Sequence, residues 1–218
     1  MLEHLPYRAF FSFEVALPRW DKPVRIDGNL AKYAKRYLAP ALCELDNQEP
    51  FADVYWAWCD EGILFAYDVP NHRGTPVCAT KEWWKHDGAR LCIDTRDTRD
   101  LKRGSRFCHF FYFLPLGGGR DERAPIAALH RMSRAKEHPP AIDESRLKVA
   151  ARVQRSGYQL EALIPADCLN GWNPAEHPRI GVFYKINDTQ LGSQTLTVSD
   201  DLGWNVDPST WAVGVLES

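Results

Sequence analysis

The sequence predicts an all-β protein, a two-sheet antiparallel β-sandwich of jelly-roll or immunoglobulin-like kind. Three observations carry this. Apolar and polar residues alternate with period two in most of the hydrophobic segments, as strands with one buried face require. These segments are short, about five to eight residues, and are separated by turns, which is the spacing of sandwiches and barrels. Helical periodicity is scarce.

In chain order, residues 31–38 have the look of a helical turn or two. "FADVYWAWCD" and "EGILFAYDVP" (51–70) alternate and are joined by an Asp-Glu-Gly turn, so they read as a hairpin. "ARLCIDTRD" (89–97) and "SRFCHFFYFLP" (105–115) repeat the pattern, with "TRDLKRG" as the turn between them. "LKVAARVQRSGYQLEALIP" (147–165) splits at Ser156-Gly157 into a further hairpin, followed by one helical turn at 165–169. "RIGVFYKIND" and "SQTLTVS" pair, and "TWAVGVLE" closes the chain. The break in this order is residues 116–146, polar and rich in Gly, Pro and Arg. It is expected to be a long, partly irregular loop that is mobile or caps one end of the sandwich, with Pro125 well placed to begin a short helix. No internal repeat and no linker interrupts the chain, so all 218 residues are expected to form one domain.

Composition bounds the function. Hydrophobic residues make up 44% and charged residues 26%, and the formal net charge is −2. That balance gives no strong pull toward nucleic acid or an anionic membrane, so neither is expected as a partner. No apolar run approaches the roughly 20 residues needed to span a bilayer. The start lacks the basic region, apolar core and cleavage site of a signal peptide. A cytosolic protein and a secreted fragment without its leader both fit. The six cysteines are scattered, with no C-x-x-C pair, which argues against a zinc ribbon or redox motif. Mostly free thiols are expected, although an even count leaves disulfides open.

Four landmarks stand in a telling order: "RIDGNLAKY" (25–33), "VYWAWCDEGILFAYDV" (54–69), "WWKHDGARLCIDTRD" (83–97) and "RIGVFYKINDT" (179–189), before a final "WAVGVLE". Over about residues 24–216 this resembles the family 9 carbohydrate-binding modules and their DOMON-like β-sandwich relatives. Those show an I-D-G-x-L opening, a W-x-x-D motif before a strand, and a later strand ending in I-N-D. The resemblance implies an antiparallel sandwich without a catalytic role that binds carbohydrate. It places Trp84 on the motif tryptophan, since Asp87 follows three residues on. In sugar-binding members that ring forms one wall of a slot for a terminal sugar. Two positions depart from the pattern. Arg90 stands where those members have a glutamate that bonds sugar hydroxyls. The second, sandwiching tryptophan is missing from "LGSQTLTVSDD", with no aromatic before Trp204.

The ligand-binding candidates are Trp84 and Arg90, which the resemblance implies, Arg96 and His109 from the residues around them, and Asn187 and Asp188, which the resemblance favours. If Trp83 and Trp84 lie on a strand they point to opposite faces, one into the core and one into solvent as a stacking platform; alternatively both cover the end of the sandwich. In "DTRDTRDLKR", Arg96 follows a strand end near the tryptophans, and a planar guanidinium can bond paired hydroxyls or a carboxylate. The same run reads equally as a solvated turn with weak ion pairs. His109, flanked by aromatics, shares a face with Phe107 and Phe111 and is either a satisfied core group or a cleft group. Asn187 and Asp188 could cap a turn or bond ligand hydroxyls.

Catalytic signatures are missing: no G-x-S-x-G, H-E-x-x-H, P-loop or dinucleotide glycine fingerprint occurs. "PLGGGRDE" lacks the Lys-Ser/Thr of a phosphate cradle. A glycosidase carboxylate pair would come from distant strands and is invisible at this level. No cofactor is expected. Calcium would need several oxygens converging on one point, which nothing in the sequence supports. Haem ligation as in some DOMON-like relatives would fall to Met132, the one internal methionine. The expected function is therefore a non-catalytic carbohydrate-binding domain that stacks a sugar on Trp84. The alternatives are a protein-interaction or structural domain that has lost the sugar slot, with residues 116–146 as a partner surface, or a glycoside hydrolase.

Overall fold

A computed structural model describes residues 6–98 and 102–217. Among these residues, eleven strands form two sheets. The larger, of seven strands, runs β1(Glu14–Leu17), β11(Ala212–Leu216), β9(Arg179–Asp188), β4(Gly88–Asp94), β5(Cys108–Gly118), β6(Ala124–His130), with β10(Gly192–Thr195) also paired to β9. The smaller runs β2(Asp53–Cys59), β3(Gly62–Val69), β8(Gly157–Pro165), β7(Lys148–Gln154). Every pairing between strands is antiparallel except β1 with β11. Among the described residues, helical structure is limited to short 3₁₀ turns, including Leu30–Lys32, Lys35–Tyr37 and Ala166–Cys168 where helical turns were expected. Among these residues no helix is long and apolar enough to cross a membrane.

Period two explains how the layers meet. On the small sheet Trp56, Phe65 and Ala162 are register partners and face the core, joined by Val54, Trp58, Ile63, Tyr67 and Leu160. On the large sheet Leu91, Phe111 and Tyr184 are partners and face back. Rings cross the gap between sheets: Phe65 meets Phe113 at 5.4 Å, and Trp56 meets Tyr184 edge-on at 6.0 Å. Each such ring, removed from water, contributes about 1.5–3 kcal/mol before entropy is counted.

The small sheet is covered on its other face too. Ala57, Leu64 and Leu163 pack beneath Trp20, Leu30, Tyr33 and Tyr37. The "RIDGNLAKY" segment is fixed there by Glu161, fully buried on β8, whose carboxylate accepts from the backbone N–H groups of Asp27 and Gly28 and from Tyr33 Oη. Lys32 neutralises it at 2.8 Å, as a buried charge requires.

Residues 116–146 are partly irregular, as expected, but begin with regular strand. β5 continues to Gly118, and β6 returns along it as an edge strand. Pro125 therefore starts no helix. It lies in β6 beside the register shift between Leu114 and Gly118, where an edge strand tolerates a residue without an N–H. Met132, on the segment that follows, is buried in the core. Around Met132, residues 131–146 form no strand and are mostly exposed or half-buried. All six cysteines are free thiols, five buried and Cys78 half-buried.

Candidate functional site

The outer face of the seven-stranded sheet carries the site. Positions alternate with the core positions, so Arg90 lies opposite both Tyr112 and Lys185, and Cys92 lies opposite both Phe110 and Phe183. His130 partners Phe110 from β6. These side chains form a floor over which two segments rise, and between them opens a cleft of about 470 Å³.

The first segment is the 3₁₀ turn Trp83–Lys85, not a strand. Successive residues on a 3₁₀ helix diverge by about 120°, and the two indoles separate accordingly: Trp83 is 7% exposed and Trp84 53%. Trp83 stacks on Tyr112 (4.3 Å, 9°) and meets Phe110 and His130 edge-on. Trp84 stands perpendicular to Trp83 at 6.0 Å and borders the cleft. The turn is held from beneath. Asp87 accepts from Val77 N and Thr189 N, and Asn187 Nδ2 donates to His86 O at 3.0 Å.

The second segment supplies Asp200 and Trp204. Trp204 stacks on Phe183 (4.8 Å, 18°), and its indole N–H donates to Asp200 at 2.7 Å. Lys185, buried on β9, donates to both oxygens of Asp200. Partial burial works against ionisation of Asp200, but the bonds from Lys185 and Trp204 outweigh it and lower its pKa. Burial likewise lowers the pKa of His130.

Arg90 is 2% exposed. It donates to the carbonyl oxygens of Gly88 (3.2 Å) and Trp83 (3.0 Å), with the guanidinium 5.3 Å from the Trp83 ring. Burial pulls its pKa down to about 10, so it remains cationic at neutral pH.

Of the six expected residues, the structure brings Trp84 and Arg90 together at this cleft. The other four lie elsewhere. Arg96 follows the far end of β4, roughly 20 Å from the tryptophans at ~3.3 Å per strand residue; it lies over Phe107, and its turn is capped by Asp94, which accepts from Arg96 N and Thr98 N. Arg99 and Asp100 of the same run lie outside the described residues. His109 faces inward, stacked parallel to Phe111, with Nε2 accepting from Asn170 N at 2.9 Å. Asn187 is spent on the Trp turn. Asp188 is buried, bonded to His72 Nδ1 (2.8 Å), to Tyr158 Oη and to the backbone N–H groups of Gln190 and Leu191.

His72, Asp87 and Asp188 offer ligand atoms within 4.8 Å of one another, a metal-like grouping. Their oxygens already accept main-chain N–H groups, and Gln190, oriented by two bonds to Arg73, donates toward His72 Nε2. That arrangement makes the group a hydrogen-bonded latch between β9, β8 and the Trp turn.

Sequence reasoning missed Lys185, Asp200, Phe110 and His130. It also missed that Trp204 borders the same cleft as Trp84. Trp204 was visible as the first aromatic after the I-N-D strand, but only the path of the chain after β10 brings it back.

Fold and cleft together define an antiparallel β-sandwich with an aromatic-walled, charged groove on the outer face of its larger sheet. In fold the chain is similar to a family 9 carbohydrate-binding module from Caldicellulosiruptor kristjanssonii. With the structure solved in complex with cellotriose the TM-score is 0.62, at 14% identity over 94% of each chain. With the glucose complex it is 0.60, at 14% identity over 94% of this chain and 96% of that one. No family model matches the sequence, and no curated protein matches it.

Proposed function

We propose that this protein binds a saccharide in the cleft between Trp84 and Trp204 and does not transform it. The observation that carries the reading is the exposure of Trp84, a 53% exposed indole beside a polar groove. A pyranose presents an apolar C–H face that suits an indole, and equatorial hydroxyls at its edge that suit charged donors and acceptors. The groove supplies both kinds of partner, with Arg90 and Lys185 as donors and Asp200 as an acceptor. The fold neighbours solved with cellotriose and glucose support the same reading. A glycosidase needs two carboxyl groups roughly 5–10 Å apart, one of them held protonated. Among the residues lining this cleft Asp200 alone carries a carboxylate, and its pKa is lowered.

A glycan array probed with the wild type and with Trp84→Ala tests this. Binding to a defined group of glycans, lost in Trp84→Ala, is expected. Retention of all binding by the variant, or no glycan bound by the wild type, would sink the proposal.

A further inference from the structure

The cleft holds a buried cation that no carboxylate bonds: the charges of Asp200 and Asp87 favour Arg90 from a distance, but its hydrogen bonds go to carbonyl oxygens. Lys185 is neutralised by Asp200, whose two oxygens are taken up by Lys185 and by the Trp204 indole. Arg90 bonds only carbonyl oxygens, and among the described residues no carboxylate lies within ion-pairing distance of it. Arg90 and Lys185 against Asp200 leave one net positive charge in the groove. His130 adds none at neutral pH, because burial disfavours its imidazolium.

A buried charge without a partner is costly. A neutral ligand settling over Arg90 would remove what water remains and return nothing but dipoles. An anion returns charge. The guanidinium has five N–H donors and spends two on Gly88 and Trp83, which also fix its plane. A planar fork held this way suits the two oxygens of a carboxylate.

Resting on the saccharide reading above, we propose that the ligand is a carboxylate-bearing sugar, a hexuronate, whose carboxylate is received by Arg90 while its ring lies against Trp84.

Titration of tryptophan fluorescence at neutral pH tests it, with glucuronic acid, galacturonic acid, the methyl ester of each, and glucose as probes. Esterification removes the charge and keeps the ring. At least one free acid should bind about tenfold or more tighter than its own ester and than glucose. Arg90→Met should abolish that preference, and Arg90→Lys should retain part of it. Should Arg90→Met not fold, the acid-to-ester ratio of the wild type still decides. Ester or glucose binding as tightly as the acids, in a Trp84-dependent way, overturns the hexuronate and leaves the saccharide reading standing. No response to any probe, together with an empty glycan array, overturns both.

Discussion

Arg90 on β4 and Lys185 on β9 are register partners, so two cations stand side by side on one face of the sheet. Like charges directly opposite destabilise an antiparallel pair. The structure relieves the conflict by giving each its own acceptors. Arg90 is drawn toward the Trp83 carbonyl, and Lys185 toward Asp200. The two segments that wall the cleft are therefore anchored by the two charges beneath it, and an empty groove keeps its shape.

Asp200→Asn should loosen the second wall. Lys185 would lose its counter-charge, and the Trp204 indole would lose a charged acceptor. Because the Asp200 side chain is 63% exposed, the loss is modest, about 1 kcal/mol or roughly 2–4 °C in melting temperature. The sign with pH follows from its lowered pKa. This contribution is present above the unfolded value of about 3.8 and fades as the pH falls through the lower folded value. Thermal melts across acid pH should show the wild type and Asp200→Asn converging at the acid end. A constant gap between them would show that Asp200 does not act as an anion.

The strands were legible in the sequence because each carries its core as every second residue, and the hairpins 51–70 and 147–165 form where the turns predicted them. β6 was not legible. Its residues are half-buried on both faces, so alternation fades, and Pro125 reads as a helix start when the edge position that tolerates it is unseen. The tryptophan pair divided into one buried and one exposed ring, as strand alternation also predicts, but the turn is 3₁₀ and the cause is its threefold period. Lys185 could be named only after β9 was known to lie beside β4, a pairing between strands far apart in the sequence. His109 could be placed with Phe111 from sequence, whereas which face looks inward depended on the second sheet.

His109 should make the fold acid-sensitive. Burial pushes its pKa down to about 4; bonds to the backbone of Phe107 and Ile93 and the charge of Asp94 favour the imidazolium but do not offset its desolvation. The unfolded chain binds the proton near 6.5. Stability from this group is complete above about 6.5 and is lost as the pH falls from there toward 4, by about 3–4 kcal/mol in all at ~1.4 kcal/mol per pH unit. His109→Gln keeps an acceptor for Asn170 N and removes the titration. Urea unfolding across that window should show a steep fall for the wild type and a flatter one for the variant. Parallel curves would refute the assignment.

Gly88 opens β4 with φ +149°, and a Cβ there would stand 2.3 Å from the Phe113 carbonyl oxygen. Neither the backbone conformation nor the space admits another residue. Gly88→Ala should cost about 1–3 kcal/mol in strain, and more if β4 separates from β5. Its carbonyl also holds Arg90, so saccharide affinity should fall with stability. Unchanged melting and unchanged affinity would mean that the junction between the Trp turn and β4 is softer than this geometry requires.

Trp83 and Trp84 separate the core function of the turn from its binding function. Trp83 is wedged among Tyr112, Phe110 and His130 and supports Arg90 through both its carbonyl and its ring. Trp83→Ala leaves a cavity the size of an indole and should cost about 3–5 kcal/mol of stability. Trp84 is 53% exposed, with its ring edge-on to Trp83, so Trp84→Ala should melt close to the wild type. Its loss should appear in binding. Stacking is worth about 1–3 kcal/mol where nucleic-acid bases lie on aromatic side chains, and a sugar face on an indole is taken to be comparable, roughly a 5- to 150-fold weakening. Melting temperatures and glycan titrations on both variants check the split. If Trp84→Ala is the variant that unfolds, its ring is a structural cover for the turn. The saccharide platform would then have to be sought on Trp204 across the groove.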